Sequence, residues 1–259
     1  MIIVKLQRHS LFTFASMLST IVFLFLAFLS EIVGTIGGFG SSVFFVPMAQ
    51  FFLDFKTVLM LTAILHDFSN TSKLFLFRKN VNRRLLILYG IPSTVFVILG
   101  AWLSNFLQFQ YAELALGIFL ILFSGFVFMY PAFRVSTTKA SAISGGTVAG
   151  FLAGLIGTGG AIRGMSLAAF NLEKNTFIAT SAAIDFFVDA SRTVIYFANG
   201  YFDWKYLSYI PFLFGAAFLG SYAGKVLLKK ISQETFRKIV LFLLLMIGIT
   251  MVVKALRAS

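Results

Sequence analysis

The stretch that decides the fold is residues 141–200, SAISGGTVAGFLAGLIGTGGAIRGMSLAAFNLEKNTFIATSAAIDFFVDASRTVIYFANG. An apolar segment broken by glycines runs from Gly145 to Gly164. A helix follows in which Asp185, Asp189 and Arg192, spaced by four and three residues, share one face. Each charged side chain costs about 2.5–3.5 kcal/mol at the centre of a bilayer on insertion scales, so three on one face of a membrane helix indicate a pore or a binding site.

The composition indicates a membrane protein. Apolar residues make up 59% of the 259-residue chain, charged residues only 12%, and 34 residues are Phe. The mean hydropathy of +0.94 lies far outside the range of soluble domains. The lipid bilayer is therefore an expected partner of the chain, and no polar stretch is long enough for a separate soluble domain.

The formal charge of +12 does not indicate nucleic-acid binding, because Lys and Arg cluster in short gaps between apolar runs and form no continuous basic face. The absence of cysteine excludes a disulfide framework, a thiolate nucleophile and a thiolate metal site. The apolar run from Leu11 to Leu29 lacks a small-x-small cleavage site, so we expect it to be retained as a membrane helix and not removed as a signal peptide.

Apolar segments of about 20 residues, the length that crosses the hydrocarbon, recur along the chain. They predict eight membrane helices, at residues 11–33, 57–77, 85–104, 112–131, 141–157, 177–198, 206–228 and 238–254. Two more apolar pieces, Ser41–Leu53 and Ala161–Leu172, are too short to span and follow glycine clusters. They are expected to be re-entrant half-helices.

The two halves of the chain repeat each other at an offset of 119 or 120 residues, which predicts two repeats, residues 1–131 and 132–259. Gly34–Gly40 (GTIGGFG) aligns with Gly154–Gly160 (GLIGTGG). Further on, equivalent positions also carry polar residues: His66, Asn70, Ser72, Lys73 and Asn80 align with Asp185, Asp189, Ser191, Arg192 and Asn199.

Loop charges predict that the repeats are inverted, since cytoplasmic loops are enriched in Lys and Arg. The loop after the second helix carries four cations, Arg78, Lys79, Arg83 and Arg84, and its counterpart, residues 199–204, carries none. The next pair of equivalent loops reverses this pattern. Equivalent loops should therefore face opposite sides of the membrane, although Lys5 and Arg8 would then lie outside.

The glycine clusters suggest an anion site, because a half-helix that begins there points unpaired N–H groups and a positive dipole end inward. The alternative is close helix packing through small residues. Arg163 is the single charge in either glycine segment, and a guanidinium can hold an oxyanion with two parallel hydrogen bonds. Its alternative role is to extend towards the membrane surface.

The polar faces of the second and sixth helices should meet at the centre of the molecule. An anion would find positive charge there in Lys73, Arg163 and Arg192. A purely structural Asp189–Arg192 ion pair is the alternative. His66 and its neighbour Asp67 could instead form a proton relay, because His titrates near neutral pH and buried acids often carry protons.

Other chemistries are not indicated. The two His have no carboxylate pair at metal-ligand spacing, so no metal site is expected, and there is no GxxxxGK loop for ATP. We find no nucleophile with a base at helical spacing, and no cofactor is expected.

The doubled pattern, Gly34 to Pro47 and Gly150 to Arg163, each followed by a helix with a polar face, resembles the TauE/SafE family of sulfite exporters across nearly the entire chain. The resemblance implies a multi-pass permease of the cytoplasmic membrane, and not an enzyme, that exports sulfite, a sulfonate or a similar small anion by alternating access. The repetition is imperfect, because Pro47 aligns with Leu167 and Arg163 aligns with Val43.

The sequence thus predicts an all-α inverted-repeat transporter of a small sulfur-containing anion. The residues expected to bind the anion are Arg163, Arg192, Lys73, Ser41, Ser42, Thr158, Asn70, Gly38, Gly40, Gly159 and Gly160. Those expected to couple transport to protons are Asp185, Asp189, His66 and Asp67. An uncoupled anion channel or uniporter, a cation transporter and an intramembrane enzyme are the alternatives, and the oligomeric state is left open.

Overall fold

The computed structural model describes residues 2–37, 40–77, 81–130, 137–170, 172–227 and 233–257, and most of these residues are helical, with no strand among them. The helices are α1 (Ile2–Gly37), α2 (Ser42–Ala49), α3 (Phe55–Phe77), α4 (Arg83–Leu85), α5 (Ile91–Leu103), α6 (Phe109–Met129), α7 (Lys139–Ile156), α8 (Gly160–Ala169), α9 (Lys174–Ala198), α10 (Ile210–Leu227) and α11 (Gln233–Arg257). A π-helical turn joins α4 to α5, and a 3₁₀ turn, Trp204–Tyr209, leads into α10.

Four helical stretches in the described part of the chain are long and apolar enough to cross a membrane. They are Leu18–Ile36, Arg83–Phe106, Lys139–Ile156 and Trp204–Leu227. Helices α3 and α9 have the length but carry buried charged residues on one face, including Lys73 and Asp189. The same polar faces that lower their apolar character therefore form the interior of the protein.

The outer surface of the helices is apolar. Large side chains with more than 60% of their surface exposed include Phe75, Leu122, Phe128, Trp204 and Phe212. The buried polar set, by contrast, includes Glu31, Lys73 and Arg192. A protein with its charges inside and its aromatic residues outside is adapted to lipid, since water would not solvate such a surface. The chain is an integral membrane protein.

Glycines bring helix backbones into direct contact. A Cβ atom at Gly150 or Gly154 of α7 would lie 2.1 or 2.2 Å from a carbonyl oxygen of α5, and one at Gly220 of α10 would lie 2.6 Å from the Cβ of Glu31 in α1. Gly117 of α6 faces Gly248 of α11 in the same way. Small residues allow such packing where lipid gives no hydrophobic drive for helix association.

Two breaks that contain glycines interrupt the helices. The first separates α1 from α2 and includes Gly40, whose φ is +78°, and the second separates α7 from α8 and includes Gly157, also at +78°. Only glycine adopts this left-handed backbone readily. Helices α2 and α8, with 8 and 10 residues, are about 12 and 15 Å long at 1.5 Å per residue, roughly half of the hydrocarbon thickness.

The two breaks lie against each other. A Cβ atom at Gly40 would be 3.6 Å from the Cα of Gly160 and 3.1 Å from a terminal nitrogen of Arg163. Because Gly40 has no side chain, the guanidinium of Arg163, from the second half of the chain, fits beside it. Gly38 lies outside the described residues, and so do Arg78 and Lys79 of the basic loop.

Candidate functional site

Helices α3 and α9 pack against each other and join their polar faces in the interior. Asn70 of α3 donates a hydrogen bond from Nδ2 to Oδ2 of Asp189 in α9, with an N···O distance of 2.7 Å. Asn70 and Asp189 occupy equivalent positions in the sequence alignment of the two halves. This contact places the two polar faces at one common centre.

Glu31 is a buried charged residue of the candidate site that was not predicted from the sequence. It lies in α1 and is completely buried, and its carboxylate accepts hydrogen bonds from the hydroxyls of Ser41 and Ser69. The Nζ of Lys73 lies 3.2 Å from its Oε2. A single acid in the apolar stretch Leu18–Ile36 was the available signal, since it carries the same insertion cost as Asp185.

His66 lies between the carboxylates of Glu31 and Asp189. Its Nε2 lies 2.6 Å from the hydroxyl of Ser41 and 3.8 Å from Oε1 of Glu31. Its Nδ1 lies 3.6 Å from Oδ2 of Asp189. The same Nδ1 lies 3.3 Å from a terminal nitrogen of Arg192, so His66 has polar neighbours from α1, α9 and the segment before α2.

Arg163 of α8 points inward and is 6% exposed, so it does not extend to the membrane surface. Its guanidinium forms an ion pair with Asp185, and its Nε donates a 3.0 Å hydrogen bond to the hydroxyl of Ser181. Both partners lie on α9. Arg163 also contacts Gly40 across the junction of the two breaks, so it has neighbours from both halves of the chain.

Arg192 has a different environment. Its guanidinium donates to the carbonyl oxygens of Ala153 and Gly157, at 3.3 Å each, and pairs with Asp189 at 2.7 Å. These carbonyls belong to the end of α7, which lacks intrahelical partners for its last C=O groups. The Asp189–Arg192 ion pair considered in the sequence analysis is thus present, and Arg192 stabilises the end of a helix.

A small cavity, partly open to solvent, lies beside the contact between the two glycine breaks. It is lined by Gly34, Thr35, Gly40, Asn70, Lys73, Arg163, Ile178, Ser181, Ala182 and Asp185. Lys73 and Arg163 supply one cation from each half. The Thr35 hydroxyl is buried and has no hydrogen-bond partner within the described structure.

The other predicted residues lie outside this cavity lining. Ser41 and His66 surround Glu31, as described above, and Asp67 accepts a 2.8 Å hydrogen bond from the hydroxyl of Thr193 on α9. Ser42 and Thr158 are buried, and the Thr158 hydroxyl has no partner in the described part of the chain. Gly159 packs against a carbonyl of α7, and Gly160 against Gly40.

Each of the three cations of the site forms an ion pair with a carboxylate. Lys73 pairs with Glu31, Arg163 with Asp185, and Arg192 with Asp189. These three carboxylates offset the positive charge that was expected from Lys73, Arg163 and Arg192, and Glu31 was not among the predicted residues. An anion that enters the cavity therefore meets cations that already have carboxylate partners.

Comparisons with known proteins identify the family. The sequence model described as Sulfite exporter TauE/SafE matches residues 23–251, which include every residue of the cavity lining. Neither the comparison with curated proteins nor that with solved structures finds a match. Because the matched segment covers most of the chain, the protein belongs to the TauE/SafE family of sulfite exporters, whose members are transporters and not enzymes.

Proposed function

We propose that the protein exports a small sulfur-containing anion, such as sulfite or a sulfonate, across the cytoplasmic membrane. The observation that carries this proposal is the cavity at the junction of the two glycine breaks, where Lys73 and Arg163 offer one cation from each half of the chain. Asn70, Ser181 and the unpartnered hydroxyl of Thr35 would complete the set of donors.

The proposed mechanism is alternating access between two inverted repeats, residues 1–131 and 132–259, with eight membrane segments and the short helices α2 and α8 at mid-depth. The packing of the helices supports the repeats. Helix α1 packs on α10 as α7 packs on α5, whereas α3 pairs with α9 and α6 with α11. At an offset of about 120 residues, exchanging the halves converts the α1–α10 pair into the α7–α5 pair. The same exchange leaves the α3–α9 and α6–α11 pairs unchanged, as a twofold relation between the halves requires.

Movement of the halves would expose the cavity to one side of the membrane at a time. The residues at the junction belong to different halves, so a rotation of one half against the other would change both access and contacts of the anion. The chain of groups from Glu31 through Ser41 and His66 to Asp189 supports coupling to protons, since each member lies within 4 Å of the next.

The test uses purified protein in proteoliposomes loaded with radiolabelled ethanesulfonate or sulfite. We expect efflux to be much faster than from protein-free vesicles and Arg163→Ala to abolish the difference. Efflux of both anions at the protein-free rate would refute the proposed function. A rate that does not respond to an imposed pH gradient would favour the alternative, an uncoupled uniporter.

A further inference from the structure

Glu31 is buried with a set of donors that suits an oxyanion. Hydroxyls from Ser41 and Ser69 and the ammonium of Lys73 surround its carboxylate, and the Ser69 hydroxyl is itself 3.3 Å from that of Ser221 on α10. Two hydroxyls and one ammonium around two oxygens would hold one edge of a sulfite or sulfonate group as well as they hold a carboxylate. The donors alone do not distinguish these anions.

Lys73 is shared between this carboxylate and the cavity. Its side chain lines the cavity, while its Nζ contacts Glu31 at 3.2 Å. An anion that enters the cavity and approaches Lys73 therefore approaches the Glu31 carboxylate as well. Two negative charges that share one ammonium repel each other, and burial strengthens this repulsion because little water screens it.

We infer that Glu31 is an internal competitor of the transported anion: its carboxylate occupies a subsite made by Ser41, Ser69 and Lys73, and the anion takes these donors when Glu31 gains a proton. This inference rests on the proposed function. A neutral carboxylic acid no longer holds the ammonium as an ion pair, so Lys73 becomes available to the anion. The net change on binding is the uptake of one anion and one proton.

The groups that face Glu31 are consistent with this role. From α3 it faces Lys73 and His66; from the segment before α2 it faces Ser41; and from α10 it faces Gly220, with Ser221 in contact with Ser69. His66 and Lys73 are thus the titratable side chains that the described contacts bring to it. The Ser41 hydroxyl contacts both His66 and Glu31, so it offers a path for a proton between them.

The repeat alignment adds a second argument. At the offset of 120 residues, Glu31 aligns with Phe151, and Arg163 aligns with Val43. The first half therefore contributes an acid, and the second a cation, that the other half lacks. Glu31 and Arg163 therefore stand outside the polar pattern that the two halves share.

The experiment measures equilibrium binding of ethanesulfonate to the purified full-length protein between pH 6 and 8. A sulfonate keeps one negative charge over this range, so any pH dependence belongs to the protein. For the wild type we expect affinity to rise as pH falls, by up to about tenfold per pH unit for one linked proton. Glu31→Gln should bind about tenfold or more tightly than the wild type at pH 8, with a smaller dependence on pH than the wild type. The exposed Glu173→Gln serves as control and should match the wild type.

Glu31→Gln with the affinity and the pH slope of the wild type would overturn the inference while leaving the proposed function intact. If neither protein binds ethanesulfonate or sulfite at any pH, the proposed function fails and this inference with it. Should Glu31→Gln not fold, the wild type still decides, because calorimetry in two buffers of different ionisation enthalpy measures proton uptake on binding. Uptake of about one proton supports the competitor, and none overturns it.

Discussion

Variants of the buried ion pair between Arg163 and Asp185 can distinguish a structural role of Arg163 from a role in binding the anion. The two side chains are 7% and 11% exposed, so little water replaces a lost partner. Removing one member of a buried pair costs about 3–5 kcal/mol, because the other charge stays buried and uncompensated. We therefore expect Arg163→Gln and Asp185→Asn each to lower the free energy of unfolding by about that amount.

The double variant should be far more stable than the sum of the single changes indicates. With two neutral amides in place of the two charges, no uncompensated charge remains. The main loss is the hydrogen bond from Arg163 to Ser181, worth about 1.5–3 kcal/mol for a charged donor. The non-additivity should therefore be at least about 3 kcal/mol.

The assay combines unfolding in mixed micelles with transport by the same four proteins in vesicles. If Arg163 binds the anion, the double variant regains stability and stays inactive, which a purely structural ion pair would not produce. Additive stability effects would refute the pairing, and active transport by the double variant would refute the assignment of Arg163 as an anion ligand. The exposed pair Lys205–Asp203 is the control, and Lys205→Gln should leave the unfolding midpoint unchanged.

Three further predictions concern packing, topology and proton transfer. Gly150→Ala should lower the unfolding midpoint, because the added Cβ would lie 2.1 Å from a carbonyl oxygen of α5. Gly125→Ala is the control and should leave the midpoint unchanged, because its Cβ would meet nothing within 4 Å. Equal midpoints for the two variants would contradict the close packing. Since the chain has no cysteine, Asn82→Cys and Asp203→Cys can each be labelled singly in intact cells with an impermeant thiol reagent, and we expect only one of them to react. Labelling of both would exclude inverted repeats. His66→Gln should flatten the pH dependence of sulfonate efflux, because it interrupts the contacts between Ser41 and Asp189; an unchanged pH profile would remove His66 from the relay.

Several features of the fold could be predicted because they depend on local chemistry. The short helices α2 and α8 follow the glycine clusters as expected, since glycine readily adopts the left-handed backbone found at Gly40 and Gly157. The polar faces of α3 and α9 were visible from helical periodicity, and the equivalence of Asn70 and Asp189 suggested their meeting. The missed Glu31 carried the same signal, an acid in an apolar helix, but it stood outside the polar pattern that the two halves share.

By itself the sequence determined that the chain is helical, lies in a membrane and belongs to a transporter family, because composition, hydropathy and the glycine pattern are properties of the chain alone. Only the tertiary structure decided which cation has which partner. Glu31 and Lys73 are 42 residues apart, and their contact depends on how α1 and α3 pack. Electrostatic energy depends on distance in space, so the balance of charge around the cavity follows from folding and not from residue counts.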